Sequence, residues 1–288
     1  MELASGLLLC LGGYLLIVTV LNFLFPEPHL DWSEVNLENI VMPEGFVWGV
    51  ATASHQIEGN NTNNWTQFEQ RENKEQSGKA CDHWNLWAKD HELLSELGVN
   101  SYRFSIEWSR IEPVQGEWNE AAIEVYSQMI DSLIAKGIEP MITLHHFSHP
   151  VWFEDLGGFY NRENIVHFQN YCKKLFPYFS SRVRKWCTVN EPDVFSIMGY
   201  HMGMFPPGQR SPVKAIRVMK NVMIAHGNVY HELKQMSPQS YIGLAKNVTI
   251  FDPYRRWNLL HWLTSLSLIH ISEPTRPRLI SYAVFCLK

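Results

Sequence analysis

Basic residues are few in this sequence and are clustered nowhere. The 288-residue chain has 24 lysines and arginines against 29 aspartates and glutamates, and the first basic residue is Arg71. The formal net charge is -5 and the pI is about 6.2. A protein that binds nucleic acid needs a positively charged face to neutralise phosphates. We therefore expect no nucleic-acid partner.

Cysteines are also few, and their spacing fits neither a disulfide framework nor a metal site. Of the five, Cys81, Cys172 and Cys187 lie within the main domain and far apart. Structural zinc sites place their cysteine and histidine ligands in closely spaced pairs, and that spacing is absent. An odd number of widely separated cysteines favours buried, reduced thiols.

Internal repeats and low-complexity runs are absent as well. The composition is 45% apolar and 13% aromatic. Such a chain buries a sizeable core, which excludes disordered and collagen-like classes of protein. We therefore expect a globular protein.

A nearly unbroken apolar stretch covers residues 7–25. An α-helix needs about 20 such residues to cross the hydrocarbon core of a membrane. The stretch is longer than the apolar part of a typical signal peptide, is preceded by no basic residue and shows no clear cleavage site. We predict a transmembrane anchor in residues 1–26 and a linker in residues 27–44. A cleaved signal peptide is the alternative, so we expect a protein that is membrane-anchored by a single N-terminal span or secreted.

From residue 45 onward, short apolar strands alternate with amphipathic helices. This order is typical of βαβ units around a parallel sheet. Helix ends are indicated by Gly98 and Gly137, and helix starts by Asn161 and Ser211. Five strands are predicted, at residues 46–53, 102–106, 138–144, 186–189 and 241–248.

Glu191 is the strongest candidate for chemistry. It follows the apolar strand WCTV and Asn190, and Pro192 stops the strand after it. In (β/α)8 barrels the active site lies at the C-terminal ends of the strands. Retaining glycoside hydrolysis uses two carboxyl groups about 5 Å apart, one to protonate the leaving oxygen and one to attack the anomeric carbon. Glu191 suits the acid, although a single glutamate at a strand end is more often a salt-bridge partner.

Four motifs occur in order along these strands. They are FVWGVATASHQIEG at 46–59, NSYRFSIEWSRIEP at 100–113, TLHHFSHP at 143–150 and TVNEP at 188–192. Together they resemble the signatures of the family-one glycoside hydrolases, the β-glucosidase family, and the resemblance extends over residues 46–264. It implies a (β/α)8 TIM barrel, incomplete here after about five βα units. It also implies a retaining β-glycosidase that hydrolyses terminal O-linked β-D-glycosides through a covalent glycosyl-enzyme.

The resemblance further implies roles for individual residues. Glu191 is expected to be the general acid/base. Gln56 is expected to hold the hydroxyls at the far side of the sugar, His146 the neighbouring hydroxyl and Asn190 the 2-hydroxyl. Arg103 is expected on the barrel floor beside the nucleophile, where it keeps that carboxylate ionised. No metal or organic cofactor is expected.

Other residues of the motifs have a simpler structural interpretation. His145 is expected to pack beneath the site and not to bind the sugar. Aromatic rings offer stacking faces for sugars but more often fill cores, and the family gives no catalytic role to the other motif glutamates. We expect no catalytic role for Glu58, Glu107 and Glu112. Core or loop packing is expected for most of the tryptophans, which are Trp65, Trp108, Trp118 and Trp152.

Three N-x-T triplets are candidate glycosylation sites if the domain faces a secretory lumen. Asn60 and Asn64 begin two of them in a predicted loop. Asn247 begins the third near the barrel rim, where a glycan would be obstructive. We therefore expect modification only at the first two.

The resemblance stops near residue 265. Residues 266–288 show no helical or strand period and resemble a translated sequencing adapter, so we expect a non-native tail after a partial barrel at 45–265. The strand that should supply the nucleophile is then missing, and the chain as written is expected to be inactive. Two alternatives stay open: a non-catalytic sugar-binding or receptor-like member of the fold, and a 6-phospho-β-glycosidase.

Overall fold

The computed structural model describes residues 2–27, 33, 41–248 and 251–272, with side chains from residue 5 to residue 268 within those ranges. Within them the chain forms two compact units. One comprises Gly45–Asn247 and the other the described parts of Met1–Glu44 and Val248–Tyr282. The first unit carries the sheet, whose strands are β1 (Gly49–Ala51), β2 (Ser101–Ser105), β3 (Glu139–His145), β4 (Lys185–Asn190) and β5 (Tyr241–Ala245).

The five strands form one sheet in the order β1-β2-β3-β4-β5, and every neighbouring pair is parallel. This confirms the predicted number and order of strands. The first strand is shorter than predicted. Residues 46–48 are held mainly by the Asn100 side chain, since the Trp48 amide donates to Asn100 Oδ1 at 2.8 Å and Asn100 Nδ2 donates to the Phe46 carbonyl at 3.2 Å.

Four long helices connect successive strands, as the amphipathic pattern predicts. Short helices follow the strand ends, and these were not predicted because four to eight residues are too few to show a helical period. The helices are α1 (Glu2–Leu24), α2 (Ser54–Ile57), α3 (Asn64–Arg71), α4 (His83–Glu96), α5 (Trp108–Ile111), α6 (Glu120–Ala135), α7 (Val151–Asp155), α8 (Ile165–Phe179), α9 (Pro192–Ser196), α10 (Pro212–Met236) and α11 (Leu259–Ser272).

Most predicted helix ends are confirmed. Gly98 and Gly137 follow α4 and α6 with φ of 76° and 72°, a conformation that glycine adopts without strain. The Ser211 hydroxyl accepts a hydrogen bond from the Lys214 amide at the start of α10. The prediction that Asn161 begins α8 is wrong. Its side chain donates back to the Leu156 carbonyl at 2.6 Å, and a 3-10 turn intervenes before the helix.

The core lies between the sheet and the long helices. Large aromatic side chains fill it, including Trp108, Tyr126, Phe168 and Trp186, all inaccessible to solvent. The predicted burial of free thiols holds for Cys172 and Cys187 but is wrong for Cys81, which is exposed in the turn before α4.

The second unit contains α1 and α11. Within α1, the segment Ser5–Leu24 is long and apolar enough to cross a membrane and is almost entirely exposed; a signal sequence has the same features. The Asn22 side chain donates to the Arg256 carbonyl at 3.1 Å. Residues 266–272 continue α11. Most of the predicted linker (28–32 and 34–40) and residues 273–288 of the predicted tail lie outside the described residues.

Candidate active site

The C-terminal ends of neighbouring strands bring the predicted site residues to one end of the sheet. Gln56 lies on α2, directly after β1. Arg103 lies within β2, His146 follows β3, and Asn190 is the last residue of β4. Glu191 is the next residue and precedes α9. Parallel strands end at a common edge, so residues distant in sequence become neighbours there.

A hydrogen bond joins two of these residues across the intervening strand β3. Arg103 Nη1 donates to Asn190 Oδ1 at 2.8 Å. With Oδ1 engaged in this way, the amide orientation is set and its N–H groups remain as donors. The Asn190 side chain in turn hydrogen-bonds Glu191. Three predicted site residues thus form one connected group.

The acidity of Glu191 is altered by this environment. Partial burial raises the pKa of its carboxyl, and the negative charge of Asp193 adds to the increase. The charge of Arg103 and the hydrogen bond from Asn190 oppose the increase without cancelling it. A carboxyl with a raised pKa stays protonated closer to neutral pH, which a general acid requires.

The backbone at the strand ends is strained at two positions that are not glycine. Phe147, after β3, has φ of 68°, and Glu191 has φ of 41°. Such conformations cost about 1–3 kcal/mol each and are concentrated at functional sites. At Glu191 the strain is held by a 2.8 Å hydrogen bond from its amide to the Ala245 carbonyl and by Pro192 at the start of α9. Sequence reasoning did not predict either conformation.

His146 is a neutral imidazole at the same end of the sheet. Burial, reinforced by the charge of Arg103, lowers its pKa to about 4. Its Nδ1 atom is buried and has no hydrogen-bond partner among the described residues. A neutral ring with an unused nitrogen is able to exchange a hydrogen bond with a hydroxyl group.

Gln56 is an exposed residue that shares a cavity with His146. The cavity has a volume of about 500 Å³, and Trp65 and Phe147 also line it. Within the described residues, the Gln56 side chain makes no hydrogen bond to Arg103, Asn190 or Glu191. The structure therefore brings Gln56 into the same cavity as His146, without a hydrogen bond to Glu191 among the described residues.

Glu107 binds the two segments that carry Gln56 and His146. It is fully buried, and its Oε2 accepts hydrogen bonds from Ser54 at 3.0 Å and from Ser148 at 2.8 Å. Its Oε1 accepts from the Ser109 hydroxyl at 2.8 Å. Ser54 lies two residues before Gln56 and Ser148 two residues after His146, so one carboxyl group ties both of these segments to the end of β2. In the sequence, only the apolar residues on either side of Glu107 could have indicated this supporting role.

The other motif residues also support the scaffold. Glu58 is buried against Arg110 at 2.8 Å and the Tyr126 hydroxyl at 2.6 Å, and burial raises its pKa to about 7. His145 is fully buried between phenylalanine rings and contacts His149 at 3.3 Å, which confirms its packing role. In the described part of the chain, no group of three or more metal-ligating side chains is assembled.

The predicted glycosylation site at Asn64 is wrong. Asn64 does not lie in a loop but begins α3, and its side chain is buried. Its Nδ2 donates to the Phe147 carbonyl at 3.1 Å and its Oδ1 accepts from the His149 amide at 2.9 Å. A glycan on this nitrogen would break both hydrogen bonds and would not fit in the folded domain. Asn60 and Asn247 are exposed.

Comparison with known proteins places this arrangement in a family. Residues 38–259 match the family model described as Glycosyl hydrolase family 1. The chain belongs to this family. Beta-glucosidase A of Thermotoga maritima is 38% identical over 222 residues, which cover 73% of this chain and 50% of that enzyme. Human cytosolic beta-glucosidase is 34% identical over 219 residues, which cover 71% of this chain and 47% of that enzyme.

Solved structures similar to this chain include glycosidases of the same family. A beta-glycosidase from Pyrococcus horikoshii is 40% identical with a TM-score of 0.76, and the superposition covers 81% of this chain and 54% of that one. The family 1 enzyme from Thermotoga maritima has a TM-score of 0.72. The five parallel strands are thus part of a (β/α)8 barrel. The family-1 chain spans about half the length of the curated relatives that it matches.

Proposed function

We propose that this chain carries the acid/base part of a retaining β-glycosidase of the β-glucosidase type. The observation that carries the proposal is Glu191 at the end of β4, half-buried, with a raised pKa and in contact with Asn190. In the first step Glu191 donates its proton to the leaving glycosidic oxygen. In the second step the same carboxylate removes a proton from the water that attacks the glycosyl-enzyme.

The neighbouring side chains have complementary roles in this proposal. The Asn190 amide donates to the 2-hydroxyl of the sugar, a contact that strengthens in the oxocarbenium-like transition state. Neutral His146 and exposed Gln56 bind other hydroxyls from the shared cavity. The substrate class is a terminal β-D-glycoside, and the names of the relatives, which are β-glucosidases, favour glucose.

The nucleophile of a retaining enzyme is a second carboxylate about 5 Å from the acid. We propose that it belongs to the part of the family-1 barrel that this match does not cover. The motif glutamates of the described chain are engaged elsewhere: Glu58 pairs with Arg110, Glu107 accepts from serines, and Glu112 accepts from the Trp108 indole at 2.8 Å. We propose that Arg103 keeps the carboxylate of this nucleophile ionised.

A chimeric barrel tests this proposal. Residues 45–247 are joined to the C-terminal half of Thermotoga maritima beta-glucosidase A, and hydrolysis of an aryl β-glucoside is measured beside the 288-residue chain. We expect turnover by the chimera and none by the chain alone. Turnover by the chain alone would contradict the assignment of the nucleophile. A chimera that unfolds cooperatively but has no activity would contradict the assignment of the acid.

We also propose that residues 1–26 anchor the protein to a membrane, with residues 45–265 as the partial barrel and residues 266–288 foreign to it. The apolar, exposed segment Ser5–Leu24 supports the anchor. The end of the family match at residue 259 supports the limit of the barrel. Secretion after cleavage of a signal peptide is the alternative.

A further inference from the structure

Part of the wall of the cavity shared by Gln56 and His146 lies outside the four sequence motifs. It is formed by residues 73–80, between α3 and α4, which we call the wall segment. These residues contain no helix or strand. Contacts with the rest of the chain must therefore fix the position of the wall segment. Four of its residues line the cavity: Glu75, Gln76, Ser77 and Ala80.

Glu69, on α3, holds the middle of the wall segment. Backbone bonds fix the two ends, since the Lys74 amide donates to the Glu69 carbonyl at 2.8 Å and the Asn60 amide donates to the Gly78 carbonyl at 2.6 Å. Between them, Glu69 Oε2 accepts hydrogen bonds from the amide of Ser77 at 2.8 Å and from its hydroxyl at 3.0 Å. Glu69 is buried. Hydrogen bonds to a shielded carboxylate are stronger than those between neutral groups.

The other oxygen of Glu69 binds His55, the neighbour of Gln56. Glu69 Oε1 lies 3.2 Å from His55 Nε2. Asn63 decides which ring nitrogen carries the proton. Its Oδ1 accepts from two backbone amides of α3, so its Nδ2 faces His55 Nδ1, at 3.1 Å. Nδ1 must then accept, and the proton lies on Nε2, which donates it to Glu69.

His55 in turn holds α2 beside the cavity. This helix has only four residues, Ser54–Ile57, and is too short to be stable by itself. The His55 ring stacks on Trp65, with the ring centroids 5.6 Å apart, and Trp65 Nε1 donates to the Phe147 carbonyl at 3.1 Å. The bond from His55 to Glu69 therefore couples the position of Gln56 to that of the wall segment.

We propose that Glu69 is a positioning residue for the sugar-binding cavity. Its carboxylate keeps two sides of the cavity in fixed relative positions, which are α2 with Gln56 and the wall segment with Glu75 and Gln76. Both of its oxygens are engaged by the chain, so it acts through His55 and Ser77. The inference rests on the proposed β-glycosidase function, in which the ligand of this cavity is the glycoside.

The expected effect is on KM more than on kcat. In the proposed function Gln56 meets hydroxyls at the far side of the sugar, remote from the reacting carbon. A displaced Gln56 then weakens the binding of substrate and transition state alike, which raises KM and leaves kcat nearly unchanged. Among the described residues, Glu69 makes no hydrogen bond to Glu191, Asn190 or Arg103.

Hydrogen–deuterium exchange of the full chain in detergent micelles tests the contacts. Glu69→Ala should speed exchange at the Ser77 amide by about tenfold, the effect of one strong hydrogen bond. Glu69→Gln keeps the shape and an acceptor oxygen for Ser77, so exchange should stay close to that of the parent. Glu72→Ala is the matched control. It removes an exposed carboxylate at the end of the same helix and should exchange as the parent does.

Kinetics of the chimeric barrel with the aryl β-glucoside test the role. Glu69→Ala should raise KM by about three- to tenfold and change kcat by less than about twofold. Glu69→Gln should raise KM less, because it loses only the bond to His55, and Glu72→Ala should leave both constants unchanged. A general loss of stability would instead lower the active fraction, and with it the apparent kcat, at an unchanged KM.

Two results would overturn the role of Glu69. One is exchange at the Ser77 amide that Glu69→Ala does not alter. The other is an active parent chimera whose KM is the same in Glu69→Ala. An inactive parent chimera is a different outcome, because it contradicts the proposed function itself and removes the positioning role together with it.

Discussion

Glu191 shows how much a single residue depends on its surroundings. The pKa of its carboxyl is raised by burial and by Asp193 and lowered by Arg103 and Asn190, so the net increase is a balance of four influences. Its backbone conformation is uncommon for a residue with a side chain. Both features were invisible in the motif TVNEP, which indicates only that a glutamate follows a strand.

Replacement of Glu191 by Ala in the chimeric barrel should separate two classes of substrate. Alkyl glucosides have poor leaving groups and need protonation, so their turnover should fall by about 10²- to 10⁴-fold. Dinitrophenyl glucoside needs no proton, and its glycosylation step should be almost unaffected. Added azide should restore turnover by replacing the activated water. Equal losses for both substrates, with no rescue by azide, would remove Glu191 from the acid/base role.

The burial of His91 predicts that the folded chain loses stability in acid. Burial lowers its pKa from the ordinary 6.5 to about 4 in the folded chain. A histidine with a depressed pKa contributes stability above pH 6.5 that disappears as the pH falls through about 4, because the unfolded chain then binds the proton more readily. The shift corresponds to roughly 3 kcal/mol.

Urea unfolding of the full chain at several pH values, followed by tryptophan fluorescence, measures this effect. His91→Gln cannot titrate, so its free energy of unfolding should fall less steeply between pH 6.5 and 4 than that of the parent. An unchanged dependence on pH would show that His91 is not the group responsible.

At the scale of elements, three connections after β1, β2 and β3 converge on one buried carboxyl group. Ser54, Ser109 and Ser148 all donate to Glu107. The short helices α2 and α5 are too small to be stable by themselves. Their positions, and with them the position of Gln56, therefore depend on this shared acceptor.

Glu107→Ala should destabilise the full chain by about 3–5 kcal/mol, because three buried hydroxyls lose a charged or strongly polar partner. Glu107→Gln keeps the shape and one acceptor oxygen, so its loss should be clearly smaller. The midpoints of urea unfolding compare the two variants with the parent. Equal stability of the alanine variant and the parent would show that the three segments are held by other contacts.

At the scale of the whole molecule, the two units have different surfaces. The Gly45–Asn247 unit buries an apolar core between sheet and helices, although single residues such as Leu97 and Ile216 are exposed, whereas α1 exposes leucines along its length, such as Leu7, Leu8 and Leu9. An exposed apolar helix of this length has the features of a membrane span and equally those of a signal sequence. The edge strands β1 and β5 of the described sheet are parallel-sheet edges that a full barrel closes.

Alkaline carbonate extraction of expressing cells tests the membrane anchor. The full chain should stay in the membrane pellet, and a variant without residues 1–26 should be released, because α1 is the one helix among the described residues that is both long and apolar enough to cross the hydrocarbon core. Complete release of the full chain, with a new N-terminus near Pro26, would favour the secreted alternative.

The sequence by itself determined the order and type of the main elements and the family. Helical and strand periods depend on neighbours within a few residues, and this is why the four long helices, the five strands and the capping Ser211 were predictable. The position of Glu191 after an apolar strand was readable for the same reason. The roles of Gln56, His146, Asn190 and Arg103 came from resemblance to a family.

Only the tertiary structure decided which of these residues touch. The bond from Arg103 to Asn190 joins residues 87 apart in sequence, and the Glu107 bonds join three loops. Such contacts depend on strand register and on the path of short connections, and neither leaves a periodic pattern in the chain. The burial of Asn64 was hidden for the same reason, because the surroundings of a side chain are set by segments that are remote in sequence.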